Sequence, residues 1–380
     1  MFESKHVVLL KSKAGNSGGL EKYASRIASG FAEKGARVSI LTTDLSKSGL
    51  GHPSISFYPL KTSPWPAFLR MEQFDAQVQK WLQAEKPDLV FGMDRNRFQT
   101  HIRAGNGVHI AYLKSRVWTE GRLKHWICLL NPMHRKILSI EKAAFENPRL
   151  QKLFANSFMV RSQLLEHYAI DPAKIEVIHN GVEWKEMEKD FLEWENKKKE
   201  VAQRFHLDPD RFHFLFIGNG YSRKGLDRLL EGLSRLKRAD FLLTVIGKDN
   251  RMDEYIAKAS KLGLKDQVRF FGPQQEIRLF YQFADVLVIP SFYDPFANVT
   301  VEALAMGLFV VSSKYNGGHE ILNEKNGLVL ENLLDSDSMV EALTQSMRHR
   351  KTKQSALEAR QSVSHLDFSK QLHQLIEACG

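Results

Sequence analysis

Short apolar runs, most of them closed by Gly, Pro or Ser, alternate with helix-period segments along nearly all of this chain, in two successive series. Such alternation calls for parallel strands, because a crossover helix is what brings the chain back to the same end of a sheet. Residues 7–10 open the first series. Residues 20–34 follow, with Leu20, Tyr23, Ile27 and Phe31 at three- and four-residue steps, the mark of one buried helix face. Gly35 closes that helix, and 37–43, 88–92, 152–156 and 175–178 continue the strands. The second series runs through 212–218, 241–247, 268–272, 286–290 and 309–312. The expected class is α/β, with two doubly wound parallel-sheet domains whose ligands lie beyond the C-terminal ends of the strands.

A length of 380 residues suits two domains, each with its own core. Between the series, residues 183–204 are dense in Lys and Glu and carry Trp184, Phe191 and Trp194 at helical spacing, so they read as a connecting helix. The division expected is 1–182, 183–355 and a last helical segment, 356–380. Two cysteines, Cys128 and Cys379, make a disulfide framework unlooked-for and point to a reducing cytoplasm. The first residues lead straight into a strand without a signal-peptide apolar region. No apolar run reaches the roughly 18 residues that span a bilayer. A cytoplasmic protein is expected, at most seated on the cytoplasmic face of an inner membrane.

The formal charge of +10 is unevenly spread. Residues 95–152 hold twelve Lys or Arg against Glu120, Glu141 and Glu146, with Tyr112, Trp118 and Trp126 interleaved. Cations beside interfacial aromatics suit anionic lipid headgroups, each cation contributing about 1 kcal/mol. The same charge would suit a phosphorylated acceptor, nucleic acid or a solvated face. The membrane reading is preferred, and no nucleic-acid partner is expected.

The chemistry concentrates in the second series. Residues 291–299 lead from a strand into a helix, with Asp294 in the loop and Glu302 in the helix, seven residues between them. Ionised carboxylates accept hydrogen bonds from sugar and ribose hydroxyls. The N–H groups left over at the helix start suit phosphate. Asn316, Gly317, Gly318, His319 and Glu320 then form a turn after the next strand. Upstream, Gly218 to Asp227 follow a strand and open a helix with Arg223 and Lys224 adjacent. Two cations at a helix N-terminus oppose its dipole, and a bound anion removes the conflict. In the first series, Gly15, Gly18 and Gly19 follow the first strand without G-x-G-x-x-G spacing, so Asp44 is not expected to bind the ribose of a dinucleotide. No His, Cys or Asp cluster has metal-ligand spacing, and no Asp-x-Asp triplet occurs.

The pattern of residues 214–320 resembles that of retaining glycosyltransferases of family four, and the likeness extends over nearly the whole chain. The family's usual first Glu is Asp294 here, one methylene shorter. The resemblance implies the GT-B fold: two Rossmann-like domains facing an interdomain cleft, the first binding the acceptor and the second a nucleotide-diphosphate sugar. By that resemblance Arg223 and Lys224, with Gly218, hold the diphosphate. Glu302 binds ribose, Pro273 and Gln274 flank the base, and Asp294, with the N–H groups of Phe296, Ala297, Asn298 and Val299, faces the donor sugar and diphosphate. Gly18 and Gly19 approach the phosphate and the acceptor. His109, or secondarily His101, lies near the sugar, and Arg103 meets an acceptor phosphate or carboxylate. The segment 103–109 is similar to one in lipopolysaccharide-core members, which implies a UDP-sugar donor and an anionic glycolipid acceptor. No metal and no cofactor beyond the donor are expected. The family's last helix returns to the N-terminal domain. A nucleotide-sugar epimerase, a sugar phosphorylase and a non-catalytic carbohydrate- or membrane-binding protein share the architecture and stay open.

Overall fold

A computed structural model describes residues 2–12, 19–43, 52–63, 66–121, 127, 128, 130–238 and 240–380, the side chains of 19–22 excepted. The chain divides into two compact units, Met1–His179 with Lys370–Gly380, and Asn180–Ser369. Both expected boundaries move. Val182 belongs to the second unit, donating to the Leu366 carbonyl at 2.9 Å and accepting from the Phe368 N–H at 2.8 Å. The helix Lys353–Ser362 buries Ala356 and Ala359 in the second core, so the returning segment is shorter than 356–380.

The first unit is built on a parallel sheet of β1 (His6–Leu10), β2 (Arg37–Thr42), β3 (Ile55–Pro59), β4 (Leu89–Gly92), β5 (His101–Arg103), β6 (Lys152–Ala155) and β7 (Ile175–Val177). The spatial order is β3-β2-β1-β4-β5-β6-β7. β1 is apolar on both sides because both faces are covered. Val7 and Leu9 pack with Ile27 and Phe31 of the helix Gly19–Glu33, while Val8 and Leu10 pack with Phe74 and Val78 of the helix Ala67–Glu85. Leu375 and Ile376 of the last helix, Phe368–Glu377, complete the first of these layers. Gly30 makes room for them, since a Cβ there would strike the Ile376 side chain.

The second unit repeats the plan with β8 (Phe212–Ile217), β9 (Phe241–Ile246), β10 (Val268–Gly272), β11 (Val286–Ile289), β12 (Phe309–Ser313) and β13 (Gly327–Leu330). Their order is β10-β9-β8-β11-β12-β13. In both sheets the chain winds outward one way from its first strand and then the other. The reversal opens a crevice beside the C-terminal ends of β8 and β11. The segment 183–204 is two helices, Glu188–Leu192 and Trp194–Phe205, where one was expected. Among the described residues no helix is long and apolar enough to cross a membrane.

Candidate functional site

Two loops meet at the reversal point of the second sheet. The first leaves β8 at Gly218 and reaches the helix Leu226–Ser234 through Arg223, Lys224 and Gly225. Gly225 caps that helix in the left-handed region, φ 79°, where a side chain is strained. A Cβ there would also collide with the Pro290 carbonyl at the end of β11. The loop is thereby pressed against the second loop, and the Phe292 N–H donates to the Arg223 carbonyl at 2.8 Å. Gly218 lies under the stem of Lys224, whose Cγ would be 3.0 Å from a Cβ.

The second loop leaves β11 and places Asp294 between the ends of two strands. Its N–H donates to the Tyr315 carbonyl and its carbonyl accepts from Gly317 N–H, both at 2.9 Å. Lys224 Nζ donates to Asp294 Oδ2, and Arg223 Nη1 reaches the same oxygen at 3.2 Å and the Tyr293 carbonyl at 2.8 Å. Asp294 and Lys224 are 9% and 8% exposed, so this is a buried ion pair with a second cation at its edge. Burial alone would raise the Asp294 carboxyl; Lys224 and then Arg223 outweigh it and hold it below the usual carboxylate range. Arg223 and Lys224 precede the helix rather than open it, and the residue they both touch is Asp294.

Asn316 ties the second loop to its neighbours. Its Oδ1 accepts from Ala297 N–H at 2.9 Å and Gly318 N–H at 3.0 Å. Its Nδ2 donates to Thr300 Oγ1 at 3.1 Å and Ser312 Oγ at 2.9 Å. Two of the four N–H groups expected to meet phosphate are therefore engaged within the protein: Ala297 by Asn316, and Phe296 by Asp294 Oδ1 at 3.2 Å. Asn298 and Val299 stand in the first turn of the helix Asn298–Ala305. Asn298 Oδ1 also accepts from Asn180 Nδ2 at 2.7 Å.

Glu302 lies on the same helix, half-buried, and accepts from the Tyr281 hydroxyl at 2.8 Å. Burial pushes its carboxyl up, and the Tyr281 hydrogen bond opposes the shift. Pro273 and Gln274 follow β10, the outermost strand on one side of the sheet, with Gln274 Nε2 donating to the Phe271 carbonyl at 2.8 Å. Gly317 and Gly318 begin the 3-10 turn Gly317–Ile321, which includes Glu320. A Cβ on Gly318 would stand 2.9 Å from Thr300 Oγ1.

In the first unit, Gly18 and Asp44 lie outside the described residues and Gly19 opens its helix. His109 is the first residue of the helix His109–Glu120 and is buried, with Nε2 3.0 Å from His134 Nδ1. Burial, then Arg95, His134 and Arg116, pushes its imidazole down to about 3. His101 sits inside β5, stacked on Phe154 and bonded to Thr100 Oγ1 at 2.9 Å, as a core histidine would be. Arg103 is buried, its guanidinium 4.4 Å from the Tyr23 ring centre.

The basic stretch is also less unbalanced than its own composition says. Arg97 meets Asp75 at 2.7 Å, Lys136 meets Glu72 at 2.6 Å, and Arg95 meets Glu141 at 2.9 Å. Acids from outside 95–152 supply two of these partners, which counting charges along one segment misses. Exposed apolar residues do cluster there: Trp118, Ile127 and Leu130. Residues 122–126 lie outside the described set. Among the described residues no group of three His, Cys, Asp or Glu is placed to hold a metal ion.

Comparison with known proteins gives two family matches, Glycosyl transferases group 1 over residues 197–363 and Glycosyltransferase Family 4 over 17–185. Lipopolysaccharide glucosyltransferase WaaG of Escherichia coli K12 is 24% identical, covering 87% of this chain and 86% of its own. A crystal structure of WaaG, a glycosyltransferase involved in lipopolysaccharide biosynthesis, superposes with a TM-score of 0.76 at 22% identity over 98% of both chains. D-inositol 3-phosphate glycosyltransferase of Paenarthrobacter aurescens is 28% identical over 85% of this chain and 83% of its own. The Anabaena protein HepE, solved with UDP and glucose, gives a TM-score of 0.69 at 17% identity, over 98% of this chain and 99% of that one. The likeness to the two solved structures is one of fold.

Proposed function

We infer that the chain is a group 1, family-four glycosyltransferase of the GT-B fold, since one family model matches residues 17–185 and the other residues 197–363. On that premise we propose that it moves a hexose from UDP-glucose or a similar UDP-sugar to a hydroxyl of a lipopolysaccharide-core or related anionic glycolipid, with retention. The observation that carries this reading is the convergence of Arg223, Lys224 and Asp294 where β8 and β11 diverge. A diphosphate seated there meets two cations and the first N–H groups of the helix Asn298–Ala305.

In this reading the bond from the sugar's anomeric carbon to the diphosphate oxygen breaks, and negative charge grows on the leaving group. Arg223 and Lys224, fixed in place beforehand, stabilise that charge without a divalent metal. The acceptor oxygen bonds to the anomeric carbon from the face the diphosphate leaves. Its proton passes to a phosphate oxygen, so no protein nucleophile is used. Asp294 orients the two cations and faces the donor sugar. Glu302, held by Tyr281, accepts from the ribose hydroxyls. Pro273 and Gln274 flank the base, and His109 serves the transferred sugar. The first unit takes the acceptor.

The acceptor is anchored in a lipid surface, and the exposed Trp118, Ile127 and Leu130 suit peripheral contact with the cytoplasmic face of an anionic membrane. A thermal-shift panel of UDP-, GDP- and ADP-sugars, followed by UDP release with a glycolipid acceptor, tests the whole reading. Lys224→Ala is expected to weaken UDP binding and lower kcat/KM roughly a hundredfold or more. Unchanged kinetics in that variant remove the diphosphate assignment.

A further inference from the structure

His109 and His134 stand side by side in the first unit, on the helices His109–Glu120 and Pro132–Phe145. Their contact, Nε2 of His109 to Nδ1 of His134 at 3.0 Å, joins one protonated and one bare ring nitrogen. The contact alone leaves open which is which. The far side of His134 decides it.

There Nε2 of His134 lies 3.3 Å from Arg116 Nη1. A guanidinium has only donors and keeps its charge, so this Nε2 accepts. Arg116 is itself oriented for the task. Its Nε and Nη2 clasp Glu120 at 3.0 and 2.7 Å, which turns Nη1 toward the histidine. With Nε2 bare, a neutral His134 carries its proton on Nδ1 and donates it to His109 Nε2. His109 then holds its own proton on Nδ1. Neutrality of both rings fits their surroundings, since burial followed by nearby Arg side chains lowers each imidazole. The backbone is fixed as well: buried Glu141 accepts from His109 N–H at 3.0 Å, from Arg95 Nε at 2.9 Å and from the Tyr168 hydroxyl at 2.9 Å.

We propose that Arg116 and His134 are positioning residues that lock His109 in the Nδ1–H tautomer, so that it serves glycosyl transfer as a hydrogen-bond donor and not as a base. This rests on the reading of His109 as a residue that meets the transferred sugar. A donor of this kind fits a sugar hydroxyl or phosphate oxygen. It leaves the acceptor's proton to the departing diphosphate, in keeping with a mechanism that has no protein base. His134 carries no sequence signal of its own; it lies in an ordinary Pro-Met-His-Arg helix start.

The test is a two-bond proton–nitrogen correlation spectrum of the full chain labelled with ¹⁵N-histidine, at neutral pH. Signals are assigned by their loss in His109→Asn and His134→Asn. Both rings are expected to be protonated at Nδ1 and bare at Nε2. An Nε2–H tautomer at either ring, or an imidazolium, overturns the proposal. A kinetic arm reads kcat and KM separately. His134→Asn keeps an amide N–H near the place of Nδ1 and is expected to hold kcat within about threefold. His134→Phe removes the donor and is expected to lower kcat about tenfold, the worth of one hydrogen bond, with KM little changed. Equal kcat in the two variants also overturns it. If His134→Phe fails to fold, the parent spectrum still decides. The expected tautomers in a chain that transfers no sugar from any donor would sink the functional reading and leave the relay standing.

Discussion

Asp294 ties the two cations of the second unit to one carboxylate, and a buried ion pair suffers more from losing one member than from losing both. Asp294→Asn leaves Lys224 charged and enclosed. It is expected to lower the unfolding free energy by about 3 kcal/mol, read from urea denaturation. UDP brings negative charge to the same cations, so its stabilising effect should be larger in the variant than in the parent. An equal gain from UDP in both proteins would contradict the assignment of the diphosphate to Lys224. His101 makes a second residue-scale case. Burial first, and Lys152 next, holds its imidazole down to about 4, against about 6.5 in an unfolded chain. Between those values the unfolded state binds a proton that the folded state refuses. Stability therefore falls as pH falls through that window, by up to about 1.4 kcal/mol per pH unit, and this contribution stops growing below about 4. His101→Asn, which preserves a partner for Thr100, is expected to give a shallower decline of Tm from pH 6.5 to 4, measured by calorimetry. A curve parallel to the parent's would show that His101 is protonated in the fold.

Among the elements, the glycine that ends the β8 loop has the most to answer for. Gly225→Ala forces a left-handed alanine, at about 1–2 kcal/mol, and drives its Cβ into the Pro290 carbonyl. Loss of both stability and UDP binding is expected, by thermal melt and titration calorimetry, because the Arg223–Phe292 link that sets the cations goes with it. Full stability in the alanine variant would mean the loop tolerates another path. Loops punctuated in this way were legible in the sequence, as were strands covered on both faces, such as β11, and β1 and β8 apart from His6 and His213, which show as apolar runs. β5 was not: three residues, His101–Arg103, two of them polar, are buried only because neighbouring strands and helices enclose them. β3 and β13 were missed for related reasons, one a partly exposed edge strand and the other opening with glycine. Tyr281 and His134, and the tying role of Asn316, escaped notice for another cause. Their roles come from hydrogen bonds to residues distant along the chain, which leave no local periodicity to read. The connecting segment was read as one helix because Phe191 and Trp194 keep helical spacing across the break at Glu193.

At the scale of the molecule, attraction to a membrane draws on fewer cations than the twelve Lys or Arg of residues 95–152 imply, since Arg95, Arg97 and Lys136 are matched by acids. Apolar contact then has the larger share. Leu130, 74% exposed, is the outstanding side chain of that surface. Leu130→Asp is expected to reduce co-sedimentation with phosphatidylglycerol-rich vesicles severalfold, while leaving UDP binding unchanged. Undiminished co-sedimentation would place the contact elsewhere.

The last helix has a bearing on how the protein is made. Leu375 and Ile376 are interior residues of the first core, yet they are translated after all of the second unit. A nascent chain leaving the ribosome folds its domains in the order of their synthesis. Here the earlier one must wait with the layer over Ile27 and Phe31 uncovered. A polypeptide that terminated at Ser369 would carry a finished second core and an unroofed first one, a natural client for chaperones.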